Sequence, residues 1–187
     1  MEEQTNAPAP ERGFRAFLKR KQIEISPKRY FIDAMGSMAL ALFATLLMSS
    51  ILGTLGDLIF GAASKTDFLH VIKTYAAQAT GMAIGAAIAY NLKGSPLVIF
   101  SATVVGALSN SSAFPGLASD PARFAGVPYL GDMTFAAGPA GVFFVVIIAT
   151  EVGKMVSKET KVDILVTPLT VLLSGFLASF LICPLVA

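Results

Sequence analysis

The sequence of 187 residues has one cysteine, one histidine and no tryptophan, and only 14% of it is charged. A lone Cys183 excludes an internal disulfide and any CxxC or Cys/His metal set, and a lone His70 removes most metal and triad schemes. Neither a metal nor a cofactor is expected. Average soluble domains carry roughly a quarter of their residues as charges, scattered over every helix to cover the surface. Here the charges retreat into a few clusters. The net charge of +2 is too small for a nucleic-acid footprint, so no nucleic acid is expected as a partner. The strings GxxxxGK[ST], GxSxG and HExxH are also missing, and the residues point to no self-contained catalytic site.

What is present is a 55% hydrophobic composition arranged in uncharged runs. The clearest covers 34–56, with Asp33 and Asp57 at its ends. As a helix it is about 35 Å long at roughly 1.5 Å per residue, more than a hydrocarbon core of about 30 Å. Uncharged runs recur at 74–92, 133–150 and 164–187. A fifth stretch, 97–118, starts apolar and then meets Ser109-Asn110-Ser111-Ser112 and Pro115-Gly116, where lipid cannot satisfy the polar groups. The expected fold is all-α: a polytopic helical membrane protein with about five transmembrane helices over 30–187, the third of them broken. Before them, 1–29 is a basic amphipathic segment in which Arg12, Arg15, Lys19, Arg20 and Lys21 surround Phe14, Phe17 and Leu18. Its pattern predicts a helix over 13–25 lying on an anionic membrane surface, with lipid as the partner. The apolar run behind it is long enough to span, which a secretory signal peptide is not.

Orientation follows from the cations. Eleven of the fourteen Lys and Arg fall in the N-terminal segment, the Lys93 turn and the 151–163 connector, against three (Lys65, Lys73 and Arg123) on the other side. The positive-inside rule puts the N-terminus in the cytoplasm and, after five spans, the C-terminus outside.

Polar residues within the spans are the candidates for function. Gln78, Asn110 and Glu151 are read as substrate-binding or pathway residues, because polar groups removed from water either join helices or face a pathway. Lys154 lies one helical turn from Glu151 and is its expected ion-pair partner. Asn110 is expected to face a water-accessible pocket on the external side, formed where the third span ends early and folds back toward Gly138-Pro139. Gly81 and Gly85, spaced as GxxxG, predict a close helix-packing face. His70, in the polar connector 57–73, is read as a solvent or interface histidine.

Several strings resemble a known family. Ser26-Pro27-Lys28-Arg29-Tyr30-Phe31-Ile32-Asp33-Ala34-Met35-Gly36, then Ala89-Tyr90-Asn91-Leu92-Lys93-Gly94-Ser95-Pro96, then Gly138-Pro139-Ala140-Gly141, Glu151-Val152-Gly153-Lys154 and Thr160-Lys161-Val162-Asp163-Ile164-Leu165-Val166-Thr167-Pro168 occur in that order. They resemble the amino-terminal half of bacterial phosphotransferase-system (PTS) sugar permeases, the membrane subunit IIC. The resemblance implies a multi-pass protein of the bacterial cell membrane that takes part in sugar uptake. It also implies a homodimer or a second membrane half, and the cytoplasmic IIA and IIB components as sources of the phosphoryl group. Two other classes stay open on the residues alone: a substrate-binding membrane subunit of a vitamin or metabolite importer, and a non-transporting membrane scaffold.

Overall fold

A computed structural model describes residues 14–21, 23, 26–61, 67–110, 138–157 and 162–186. Among these residues all regular structure is helical. A short helix α1 (Phe14–Arg20) precedes a π-helical stretch, Lys28–Ala34, that runs directly into α2 (Met35–Phe60). Then follow α3 (Phe68–Gln78), α4 (Thr80–Asn91), α5 (Pro96–Asn110), α6 (Gly138–Val156) and α7 (Asp163–Val186). Among the described residues three stretches are long and apolar enough to cross a membrane by length and composition: Lys28–Phe60, Gly138–Val156 and Asp163–Ile182.

The helix ends have local causes. Asp67 caps α3, its carboxylate accepting from the His70 amide at 3.3 Å. Pro96 opens α5 at a position where a missing N–H costs nothing. At the end of α4 the Gly94 amide donates to Ala89 O and the Lys93 amide to Tyr90 O, both at 2.9 Å, which is a Schellman closure. That closure puts Lys93 at φ +58°, a left-handed conformation usually left to glycine and costing a side-chain-bearing residue roughly 1–2 kcal/mol.

Two elements differ from expectation. The run 74–92 is not one helix. Ala79, at ψ −7°, separates α3 from α4, so the chain from Phe68 to Asn91 is a kinked pair of helices. In the third stretch the helix does not stop after Leu108 but continues through Asn110. Ser109 is fully buried there and donates to Val105 O at 2.9 Å, so the first residue of the polar patch is satisfied by its own helix. The rest of that patch, including Ser111, Ser112, Pro115 and Gly116, lies outside the described residues, as does the expected fold-back toward Gly138.

The core lies where α4, α5, α6 and α7 meet, around Ile84, Ile88, Val98, Val105, Val142, Val146 and Val171. Half of the apolar window of α6 is buried, whereas only 11% of that of Lys28–Phe60 is. Thus α6 is central and α2 is peripheral, with Leu40, Phe43, Leu47, Ile51 and Leu58 exposed. Helices α4 and α5 touch backbone to backbone. A Cβ on Gly81 would meet the Gly106 carbonyl oxygen, one on Gly85 the Ala102 carbonyl oxygen, and one on Gly106 the Gly81 carbonyl oxygen. The GxxxG face is therefore used within the chain, against a matching small-residue pair on α5, as expected where close packing rather than hydrophobicity holds helices together.

Candidate functional site

The starts of α2 and α5 and the ends of α4 and α6 gather at one end of the bundle. Arg29, in the π-helical stretch, donates from Nη2 to the Leu92 carbonyl at 2.9 Å, placing a cation on the C-terminus of α4. One residue on, the Tyr30 hydroxyl stands close to the carboxylate of Glu151 on α6. Lys154 donates to both carboxylate oxygens of Glu151 at 3.1 Å, and its side chain is only 3% exposed. The expected ion pair is present, but it is a buried one joined by a tyrosine from another helix. Ser95 and Ser157 share a hydroxyl–hydroxyl hydrogen bond of 2.9 Å, and the Lys21 ammonium donates to the Ser157 carbonyl. Through these contacts the basic segment is fastened to the turn between α4 and α5 and to the end of α6.

Asn110 sits elsewhere. Its Cβ lies where a side chain on Gly81 would go, at the far end of the α4–α5 seam. Gln78 is the last residue of α3, beside the kink at Ala79, and is exposed. Asn110 and Gln78 thus belong to the same end of the bundle, and Glu151 to the opposite end. The three candidates do not form one cluster. Of the basic residues, Arg12 lies outside the described residues, Arg15 stands in the first turn of α1, and Lys19, Arg20 and Lys21 close that helix.

His70 corrects the reading of it as a solvent or interface side chain. It is 4% exposed, with Nδ1 against the Asp67 carboxylate and Nε2 3.1 Å from Asp57 Oδ1. Room for the ring comes from α2, since a Cβ on Gly56 would lie 2.7 Å from His70 Cε1 and Nδ1. One turn further along each helix the stem of Lys73 crosses Gly53, and Ser49 Oγ donates to Lys73 O at 3.3 Å. Desolvation opposes ionisation of Asp67, but the hydrogen bonds from the His70 ring and the His70 amide prevail and hold its carboxyl below the usual carboxylate range. This Asp57–His70–Asp67 cluster latches α2 to α3. Two sequence signals could have found it: an aspartate three residues before the only histidine, and the small-residue row Ser49, Gly53, Gly56 on α2.

A family model described as Phosphotransferase system, EIIC matches residues 32–187. The chain belongs to this family. No curated protein matches it, and no solved structure does. The EIIC match begins inside the π-helical stretch and takes in α2 to α7, so of the described helices only α1 lies outside the family region. Membership places this EIIC chain in membrane transport as part of a phosphotransferase system, in agreement with its apolar helices.

Proposed function

We propose that this chain acts in sugar uptake as a counterpart of the amino-terminal half of a PTS permease, completed by a second copy or a second membrane half. The observation that carries this reading is the family match over 32–187 on a bundle whose outer helices keep large apolar faces. In the proposed arrangement α2, the kinked α3–α4 pair, α5 with the residues after it, α6 and α7 make five spans of the bacterial cell membrane. The N-terminus and the 151–163 connector are cytoplasmic and the C-terminus is external, as the distribution of Lys and Arg indicates. Arg12, Arg15, Lys19, Arg20 and Lys21 rest on the lipid surface. Asn110 and Gln78 face the sugar from the external end, and Glu151 lines its cytoplasmic exit. IIA and IIB components meet the cytoplasmic end.

Thermal shift of the purified protein against a panel of sugars, run beside a measurement of particle mass, tests this. A single sugar that raises the melting temperature of particles heavier than one chain is the expected result. A monomer that carries a vitamin or metabolite through purification would overturn it in favour of an importer subunit. A protein that binds nothing, and in which Gln78→Ala, Asn110→Ala and Glu151→Gln alter only stability, would be a scaffold.

A further inference from the structure

His70 is the only histidine in the sequence, and it lies buried between α2 and α3 with a carboxylate at each nitrogen of its ring. Nδ1 meets Asp67, the N-cap residue of its own helix, and Nε2 lies 3.1 Å from Oδ1 of Asp57 on α2. A neutral imidazole has one N–H and can donate to only one of them, whereas the imidazolium donates to both. The two carboxylates differ in their surroundings. The Asp67 side chain is 6% exposed and also accepts from the His70 amide, while the Asp57 side chain is 44% exposed. We propose that His70 is a proton-operated joint: the charged ring ties α2 to α3 through Asp57, and loss of the Nε2 proton releases Asp57 and lets the start of α3 move away from α2.

Burial decides which proton leaves. A nitrogen lone pair facing an ionised carboxylate is repelled by it, and a carboxylate as enclosed as that of Asp67 cannot turn to water instead. That of Asp57 can. The single N–H of the neutral ring therefore stays on Nδ1, toward Asp67, and Nε2 is the atom that gives up its proton. The charges around the ring are few. Asp57 is the only charged residue of α2, α4 carries none, and α3 adds Lys73, one turn beyond His70, whose stem crosses Gly53. Tyr75 of α3 and Tyr90 of α4 are exposed. With the ring charged, Asp57 and Asp67 are matched by His70 and Lys73; with the ring neutral, two carboxylates face one ammonium. Deprotonation thus removes a charge-assisted hydrogen bond and leaves an unbalanced negative charge at the same contact. The joint is closed at low pH and opens as pH rises, because only the charged ring donates to Asp57. The face of α2 that receives the ring is Gly53 and Gly56, so no apolar side chain there holds α3 once the ring lets go. The bond from Ser49 Oγ to Lys73 O, at 3.3 Å, carries no charge and does not respond to pH, so the opening is at the Asp57 end of the contact. The inference does not depend on which substrate the bundle transports or on which side of the membrane this end lies.

Having a single histidine makes the test direct. The full chain, purified in a neutral detergent with any affinity tag removed, is labelled with isotopic nitrogen at histidine, and nuclear magnetic resonance reads which ring nitrogen carries a proton at each pH. In parallel, spin labels on Ile59→Cys and Val71→Cys, both exposed positions, in a Cys183→Ala background report the distance between α2 and α3 by electron paramagnetic resonance. Both nitrogens should be protonated at low pH. As the ring titrates, Nε2 should lose its proton while Nδ1 keeps its own, and over the same pH interval the label distances should shift to longer values. Asp57→Asn supplies the control, since its amide can accept from the charged ring through oxygen and donate to the neutral ring through nitrogen. In that variant the distance should hold its low-pH value throughout while the ring still titrates. If Asp57→Asn does not fold, the nitrogen spectra and the distances of the chain with Asp57 in place decide by themselves. The proposal is overturned if the neutral ring keeps its proton on Nε2, or if the ring carries one proton at every pH at which the chain is folded. It is equally overturned if the label distance stays constant as the ring titrates, or if Asp57→Asn opens with pH as the chain with Asp57 does.

Discussion

Replacing Gly106 by alanine tests how the α4–α5 seam holds the bundle together. The added Cβ would run into the Gly81 carbonyl oxygen and lie 3.0 Å from Gly85 Cα. Both obstacles are helix backbone, which cannot swing aside as a side chain can. Ordinary contact needs about 3.5–4.0 Å between carbon atoms, so the helices must part by roughly 0.5–1 Å. A gap of that size forfeits a quarter to a half of the dispersion well for each contact along the seam, where Ile84, Ile88, Ala102 and Val105 are buried. Overpacking in cores costs about 1–3 kcal/mol, and a backbone obstacle puts this case near 3 kcal/mol. Gly36→Ala is the matched control, because nothing lies within 4 Å of its Cβ position on α2. There the helix gains about 0.5–1 kcal/mol from the lost backbone freedom of glycine. At roughly 2–4 °C per kcal/mol for a chain of this length, Gly106→Ala should melt about 6–12 °C below wild type, and Gly36→Ala slightly above it. Circular dichroism melts of the three proteins in one detergent provide the comparison. If Gly106→Ala melts level with or above Gly36→Ala, the two helices do not pack as described.

Four further outcomes follow from the same structure. Thr150 is fully buried and its hydroxyl has no hydrogen-bond partner among the described residues, so Thr150→Val should raise stability by about 1 kcal/mol in the same melts. Glu151→Gln removes the carboxylate paired with the buried Lys154 ammonium and should lower stability by about 3 kcal/mol, part of which Glu151→Gln/Lys154→Met should restore. The Asp67 carboxyl is held below its ordinary range in the folded protein, so its contribution is present above the usual carboxylate pKa and lost as pH falls through its lowered value; Asp67→Asn should flatten that acid limb of melting temperature against pH. A reporter inserted at 158–161 should be cytoplasmic and one after residue 187 external, which enzymatic reporters of each side can read in intact cells.

That α2, α6 and α7 are long apolar helices was legible, because a long uncharged run is a direct statement about transfer from water; their ends were not, since α2 runs past Asp57 to Phe60 and α6 through Glu151 and Lys154 to Val156. The kink at Ala79 was not. Residues 76–80 read Ala-Ala-Gln-Ala-Thr, with neither proline nor glycine to mark a break, and Ala79 leaves the helical ψ in a stretch where α3 and α4 both pack against α2. Gly81 and Gly85 announced a close contact, yet their partners Ala102 and Gly106 sit in an apolar run with nothing to distinguish them. The misreading of His70 has a similar cause: its burial depends on Gly56, fourteen residues earlier on another helix, and on Asp57 beside that glycine. At the basic end, Glu151 and Lys154 were paired from their spacing alone. The approach of Tyr30 to Glu151, and the meeting of Lys21, Lys93 and Lys154 around Ser157, join positions too distant in sequence for any local pattern to show.

Uptake of radiolabelled sugars by bacterial cells with and without the gene for this chain tests the proposed role in sugar uptake most directly. The account predicts that deletion abolishes uptake of one sugar, that the labelled sugar recovered from wild-type cells is phosphorylated, and that the intact chain restores both. Unchanged uptake of every sugar in the deleted cells, or recovery of the transported sugar only in its free form, would contradict it.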